Sequence, residues 1–241
     1  IMARTLLFIL ISALCCACRQ GGTSSAQGAD TIDVRLAVLP VADCEPFVVA
    51  QRLGLYDSLG VKVHVKVYQS AMDIDTAVLR RRANMFFTDT VRLARLLEQK
   101  KDIRVARQFP ARFQLLTMDS TVIYLKNLAF KTVAMTRHSA ENRLFDNLIH
   151  QANIPDGDCF PIQVNDIDLR LQMLLQGHVT AAFLPSPQSD EALAAGAHRL
   201  VCADSVEQFV FAYRPTKKLS AAKLERVLRA YEMAKVGVPL K

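Results

Sequence analysis

An α/β protein of two lobes is the fold the sequence predicts, and three observations carry it. From Val34 onward, short β-rich runs alternate with amphipathic segments, the rhythm of strands joined by helical crossovers. A unit of amphipathic helix, tight turn, apolar strand and polar loop occurs twice, as Ala77–Asp89 (AVLRRRANMFFTD) and Leu171–Pro185 (LQMLLQGHVTAAFLP). A break at Pro110 separates a first group of elements from a second.

Each element follows from local pattern. Val34–Leu39 is β-rich and apolar, a strand; Pro46 opens a helix through Leu53 that Gly54 ends. Val61–Tyr68 (VKVHVKVY) alternates valine with polar residues at period two, so one face of that strand meets solvent. Ser70–Arg82 is helical and closes on Arg80-Arg81-Arg82, cations at the carbonyl end of the helix dipole. Asn84–Phe87 is a buried strand, Thr90–Gln99 a helix and Ile103–Ala106 a strand. In the second group Phe113–Met118, Val122–Leu125, Thr132–Met135, Ile162–Val164 and Thr180–Leu184 read as strands, and Ser139–Asn153, Ile167–Gln176 and Gln188–Ala195 as helices. The chain returns through strands Leu200–Ala203 and Phe209–Tyr213 to a last helix, Ser220–Lys235. The first lobe is therefore expected at residues 31–108 and 200–241, the second at 109–199.

Residues 1–18 have another character. Arg4 leads into the apolar run Thr5–Leu14 and then Cys15-Cys16-Ala17-Cys18. The run falls far short of the roughly 20 residues of a spanning helix, so it reads as the apolar core of a bacterial secretion signal. Cys18 behind the small Ala17 is the candidate lipidated residue of a lipoprotein; the plain alternative is a signal whose cysteines are small apolar residues. Residues 19–30 (RQGGTSSAQGAD) lack the apolar content to build a core and suit a flexible tether. The expected location is the cell envelope, in the periplasm or at the outer surface, held by lipid.

Composition narrows the function. A hydrophobic fraction of 51% with 22% charged residues fits a globular body, and the net charge of +7 is scattered with no long basic tract, which argues against nucleic acid. With the leader discounted, Cys44, Cys159 and Cys202 remain, an odd number without zinc-type spacing. They are expected as small buried hydrophobes with at most one disulfide, and no metal or cofactor is implied. There is no HExxH, no nucleophile-elbow glycine pattern and no phosphate-binding glycine loop.

Five segments in order resemble one family. VRLAVLPVADCEPFVVAQRLGLYD (Val34–Asp57) has a strand, a polar loop and a helix ending in A-x-x-x-G-L-Y; Gly60–Val67 stands at a G-V-x-V-x-V strand; Asn84–Val91 is similar to a strand ending in T-D. LKNLAFKTVAMTR (Leu125–Arg137) resembles L-K-D-L-K-G-K-T-V-A, with Ala129-Phe130 in place of the usual Lys-Gly turn, and Leu171–Gln188 resembles L-x-x-G-x-V-D-A-A-x-x-P-x-P. These are motifs of the substrate-binding lipoproteins of the nitrate/sulfonate/thiamine-precursor ABC transporter family. The resemblance implies a type II periplasmic binding protein fold, two α/β lobes with a double crossover closing on a ligand between them. It also implies that relatives carry several tens of residues beyond the helix at Ser220–Lys235.

The resemblance implies a monomeric receptor that passes a small molecule to a permease and its ATPase, not an enzyme. Two alternatives stand beside it: a pyrimidine-synthase-like enzyme on the same fold, which would need an active-site His/Lys arrangement, and a surface ligand-sensing lipoprotein without a transporter. The candidate ligand-binding residues sit in loops after strands: Asp43, Glu45 and Phe47 after the first; Thr88 and Asp89 after the third; Thr136, Arg137 and Ser139 in the second lobe, followed by Asn165, Asp166 and Ser186. Thr136-Arg137-His138-Ser139 would offer a helix amino end and a cation to an acidic group, opposite an acidic wall of Asp43, Glu45 and Asp89 that suits an amine. Asp89, Asp166 and Ser139 read equally as helix caps, and Arg137 as a partner of Glu141. Phe47, Tyr68, Phe86, Phe87 and Phe183 are the candidate stacking faces.

Overall fold

Eight strands in the order β2-β1-β3-β8-β4-β7-β5-β6 form one mixed sheet in the computed structural model, which describes residues 32–99 and 102–237. The signal, the tether and Cys18 lie outside the described residues. In one half, β1 (Val34–Val38) pairs in parallel with β2 (Val63–Val67) and β3 (Met85–Asp89). In the other, β5 (Thr132–Met135) pairs in parallel with β6 (Phe160–Gln163) and β7 (Ala181–Leu184). Two long antiparallel strands, β4 (Arg104–Thr117) and β8 (His198–Tyr213), run through both halves.

Helices cover both faces, as central parallel strands require. On one face of the first half, α1 (Glu45–Arg52), α2 (Leu55–Ser58) and α8 (Ala221–Val236) cover the side to which Leu36, Met85, Phe87 and Phe211 point. On the other, α3 (Ala71–Leu79) and α4 (Thr90–Glu98) meet Ala37, Phe86, Val210 and Ala212. The alternation Met85, Phe86, Phe87 along β3 thus feeds two cores, and all five β3 residues are buried. The second half repeats this. α5 (Ala140–Gln151) packs over Phe113, Leu115, Val133 and Phe183, while α6 (Ile167–Leu175) and α7 (Gln188–Ala194) pack over Leu116, Ala134, Ala182 and Leu184. Strand β2, at the sheet edge, buries Val65 and exposes His64 and Lys66, as its period-two pattern requires.

Four expectations need correction. Pro110 does not break the chain; it lies inside β4 opposite Gln208, next to a register shift. Gln208 sends its own N–H away from β4, to Thr90 Oγ1 at 3.2 Å, so the antiparallel pair it forms with Pro110 is one that needs no proline N–H, and β4 pairs with β7 only from Gln114 onward. The two return strands are likewise one strand, β8, which pairs with β4 from His198 to Asp204 and again from Gln208 to Tyr213 across a register shift. Val122–Leu125 is not a strand: Val122 closes a turn onto Asp119 O at 3.0 Å, and Leu125–Leu128 is a 3-10 turn capped by Asn127 Oδ1 accepting Tyr124 N–H at 2.9 Å. Finally, Cys44 and Cys159 are buried as expected, but Cys202 is exposed, and all three are free thiols.

Where the lobe boundary was expected at residue 200, Val201 and Cys202 pair with Leu115 and Gln114, in the stretch of β4 that also borders β7. Phe209 is the first β8 residue beside β3. The passage between halves is the middle of the β4/β8 ribbon.

Candidate functional site

The carboxyl ends of β1 and β3 face those of β5 and β7 across this ribbon, and a cavity of about 50 Å³ lies between them. Thr88 and Asp89 reach it because they end β3; Arg92 reaches it from the first turn of α4. From the other half come Thr136, Ser139 and Glu141 at the β5/α5 junction and Asn165 before α6. Phe87, Phe113 and Phe209 form its apolar walls. A second chamber of about 400 Å³ shares Val41, Pro185 and Phe209 with the first and adds Asp43, Arg112 and Ser186. The halves touch across the cleft: Ala42 N–H donates to Ser186 O at 2.8 Å and Gln188 Nε2 to Pro40 O at 3.1 Å.

Electrostatics in the cavity are set by burial. Asp89 accepts Arg92 N–H at 3.0 Å as the cap of α4, yet desolvation outweighs that bond and the Arg92 charge, with Glu141 adding repulsion. Its carboxyl is pushed up to about 6. Arg92, 6% exposed, is tied through Nη2 to Asp75 at 2.5 Å, while its Nε has no hydrogen-bond partner among the described residues. Thr88 Oγ1 and Asn165 Oδ1 are buried and equally unpartnered among the described residues.

Behind the second wall lies a satisfied network. Arg170, with no exposed surface, donates to both Glu141 oxygens at 3.1 and 3.0 Å, to Thr136 Oγ1 at 2.7 Å, to Phe183 O at 2.7 Å and to Val164 O at 3.0 Å. Glu141 in turn accepts Thr136 N–H at 2.7 Å, and Ser139 Oγ donates to Thr136 O at 2.6 Å. With all three guanidinium nitrogens bonded, Arg170 ties the turn after β5 to its neighbours and has its own charge compensated by Glu141.

Of the residues expected at the site, Thr88, Asp89, Thr136, Ser139 and Asn165 come together in the inner cavity, and Asp43 and Ser186 in the outer one. Four do not line either. Glu45 begins α1 and is exposed. Phe47 is fully buried against Phe211 and Tyr231, each ring 4.6 Å away, because its helix turns it into the core. Asp166 caps α6 by accepting Leu169 N–H at 2.9 Å. Arg137 turns outward, where its Nε donates to Asn142 Oδ1 at 3.1 Å and its Nη1 to Pro161 O at 3.4 Å; Glu141 pairs with Arg170 instead. The cation at the cavity is Arg92, which the sequence reading missed. Its position three residues after the Asp89 cap was the available signal, since the first turn of a helix following a strand end faces the same cleft. Among the expected aromatic faces, only Phe87 reaches the cavity; Phe113 and Phe209 on the shared ribbon were missed.

Two half-sheets joined by a two-stranded ribbon, with a polar cavity at the carboxyl ends of their parallel strands, define the type II periplasmic binding protein fold. The family model described as NMT1/THI5 like matches residues 42–231, and the chain belongs to that family. Among solved structures, the chain is similar to a zinc-bound ligand-binding component of an ABC-type import system from Staphylococcus aureus, with TM-score 0.70, 12% identity, and 83% of this chain and 72% of that one covered. It is also similar to the periplasmic aliphatic sulphonate binding protein SsuA from Escherichia coli (TM-score 0.66, 17% identity, 84% and 72% covered). A third is the alkanesulfonate-binding protein SsuA from Xanthomonas axonopodis pv. citri bound to MOPS (0.65, 14%, 83% and 72%). At these identities the likeness is one of fold. No curated protein sequence matches the chain.

Proposed function

We propose that the protein is an extracytoplasmic solute-binding protein of an ABC importer, which captures a small organic nitrogen compound or anion in the interlobe cleft and presents it to a permease and its ATPase. The observation that carries this reading is the inner cavity, where residues from both halves converge and Thr88 Oγ1, Arg92 Nε and Asn165 Oδ1 remain unpartnered among the described residues. Buried polar groups without partners cost stability, and a ligand that pairs them recovers it. The Ser139 hydroxyl is committed to Thr136 O and Asn142 N–H, which favours recognition over turnover. Anchoring through a lipid on Cys18 completes the proposal; fatty-acid labelling that persists in Cys18→Ala, with Cys15 and Cys16 also replaced, contradicts it.

The cleft reading is tested by a thermal-shift screen of pyrimidines, sulfonates, amino acids, amides and simple anions, followed by calorimetry on the best hit. Thr88→Val, which removes the hydroxyl and keeps the shape, is expected to weaken binding by about 1–3 kcal/mol while leaving the ligand-free protein as stable or more so. Arg137→Ala is expected to leave affinity unaltered. The opposite pattern, with Arg137 sensitive and Thr88 indifferent, rejects the inner cavity as the site.

A further inference from the structure

We infer that the cleft selects ligands carrying a primary carboxamide head group, because the unpartnered groups in the inner cavity form that head group's complement. Asn165 Oδ1 accepts an N–H, Arg92 Nε donates to a carbonyl oxygen, and the Thr88 hydroxyl turns to serve either. This rests on the cleft being the ligand site. The orientation of Asn165 is fixed by chemistry: its Nδ2 lies 2.9 Å from Met72 Sδ, an atom that accepts and never donates, so the oxygen is the end left over. Arg92 is held by Asp75 through Nη2 and, through its backbone N–H, by Asp89, so its Nε stays where it is. Thr88 is 3% exposed and Arg92 6%, so neither group is served by bulk solvent.

Charge and hydrogen-bonding character exclude the other head groups. The inner cavity, about 50 Å³ against about 400 Å³ for the outer chamber, suits a compact head group. The remainder of a larger ligand would extend past Val41, Pro185 and Phe209 into the outer chamber. A carboxylate or sulfonate presents only acceptors, to a site where Asn165 Oδ1 and Asp89 already accept and where Asp75, Asp89 and Glu141 outnumber Arg92 and Arg170. An ammonium or amidinium presents only donors; it leaves Arg92 Nε unmet and sets a cation beside a guanidinium. An uncharged amide brings two N–H groups and one carbonyl.

The test is a series with one tail and different heads: butanamide, N,N-dimethylbutanamide, butanoate, propanesulfonate and butylamine, read by thermal shift and calorimetry on the full chain. Butanamide is expected to bind at least about tenfold more tightly than each of the others, and Asn165→Leu to erase that preference. Equal binding of the dimethyl amide, tighter binding of butanoate or propanesulfonate, or no response to butanamide at millimolar concentration overturns the inference. A sulfonate that binds tightly and weakens in Thr88→Val rejects the carboxamide but keeps the cleft; binders indifferent to both Thr88→Val and Asn165→Leu reject the cleft itself. Circular dichroism of both variants confirms that they are folded.

Discussion

Single residues in this protein serve two ends at once, and Asp89 shows the cost. As the cap of α4 it satisfies a helix amide, and as a cavity wall it is desolvated beside Glu141 and Arg92, so its carboxyl rises from 3.8 to about 6. In the unfolded chain it ionises near its ordinary value, so between about pH 4 and 6 the folded state holds the extra proton and stability falls as pH rises. Above pH 6 the full penalty applies, about 3 kcal/mol. Asp89→Asn keeps a good cap without the charge. Urea unfolding is therefore expected to find the variant more stable than wild type at pH 8, by up to that amount, and nearly equal to it at pH 4; an equal difference at both values contradicts the assignment. At this scale the sequence revealed the caps, since Asp89, Ser139 and Asp166 each precede a helix, and all three accept from a backbone amide three residues on. It did not reveal which cation faces the cavity. Arg137 and Arg92 both follow strand ends, and only the position of each around its turn decides which points inward.

Elements were legible wherever local pattern and tertiary demand agree. The valine alternation of β2, the helix opened by Pro46 and the tight turn at Gly177 between α6 and β7 all sit within a few residues of their expected places. The long ribbon was not legible, because β4 and β8 stay extended through proline and polar residues by pairing with each other, a long-range condition that no local window contains. One turn carries strain that the sequence announces. Ala129-Phe130 stands in place of the Lys-Gly turn of the motif it resembles, and Phe130 adopts φ 60°, the left-handed region, with 68% of its surface exposed. Its amide donates to Asp158 O, a bond any residue can make. Phe130→Gly removes the steric penalty and forfeits little packing, so it is expected to stabilise the protein by about 1 kcal/mol. A lower melting temperature for that variant would show that the ring is held by contacts worth more than the strain.

For the whole molecule, the two three-layered halves and the cavity between them follow from one topological fact: the chain passes between halves twice, along neighbouring strands. These two antiparallel connections are expected to act as a hinge about which the halves rotate while β4 and β8 stay paired. The repeated helix, turn and strand unit points to two lobes, and the polar middle of β8 reads as a loop as long as its partner is unknown. The contacts that join the halves across the cleft include Ala42 to Ser186, Gln188 to Pro40, Ile167 to Gln69 and Asn165 to Met72, and a ligand pairing Thr88, Arg92 and Asn165 is expected to shift the balance between open and closed arrangements. Small-angle X-ray scattering on the full chain, with and without a saturating ligand from the screen, tests this most directly. The radius of gyration is expected to fall when ligand binds, and an unchanged profile under saturation would contradict a receptor that closes on its ligand between two lobes.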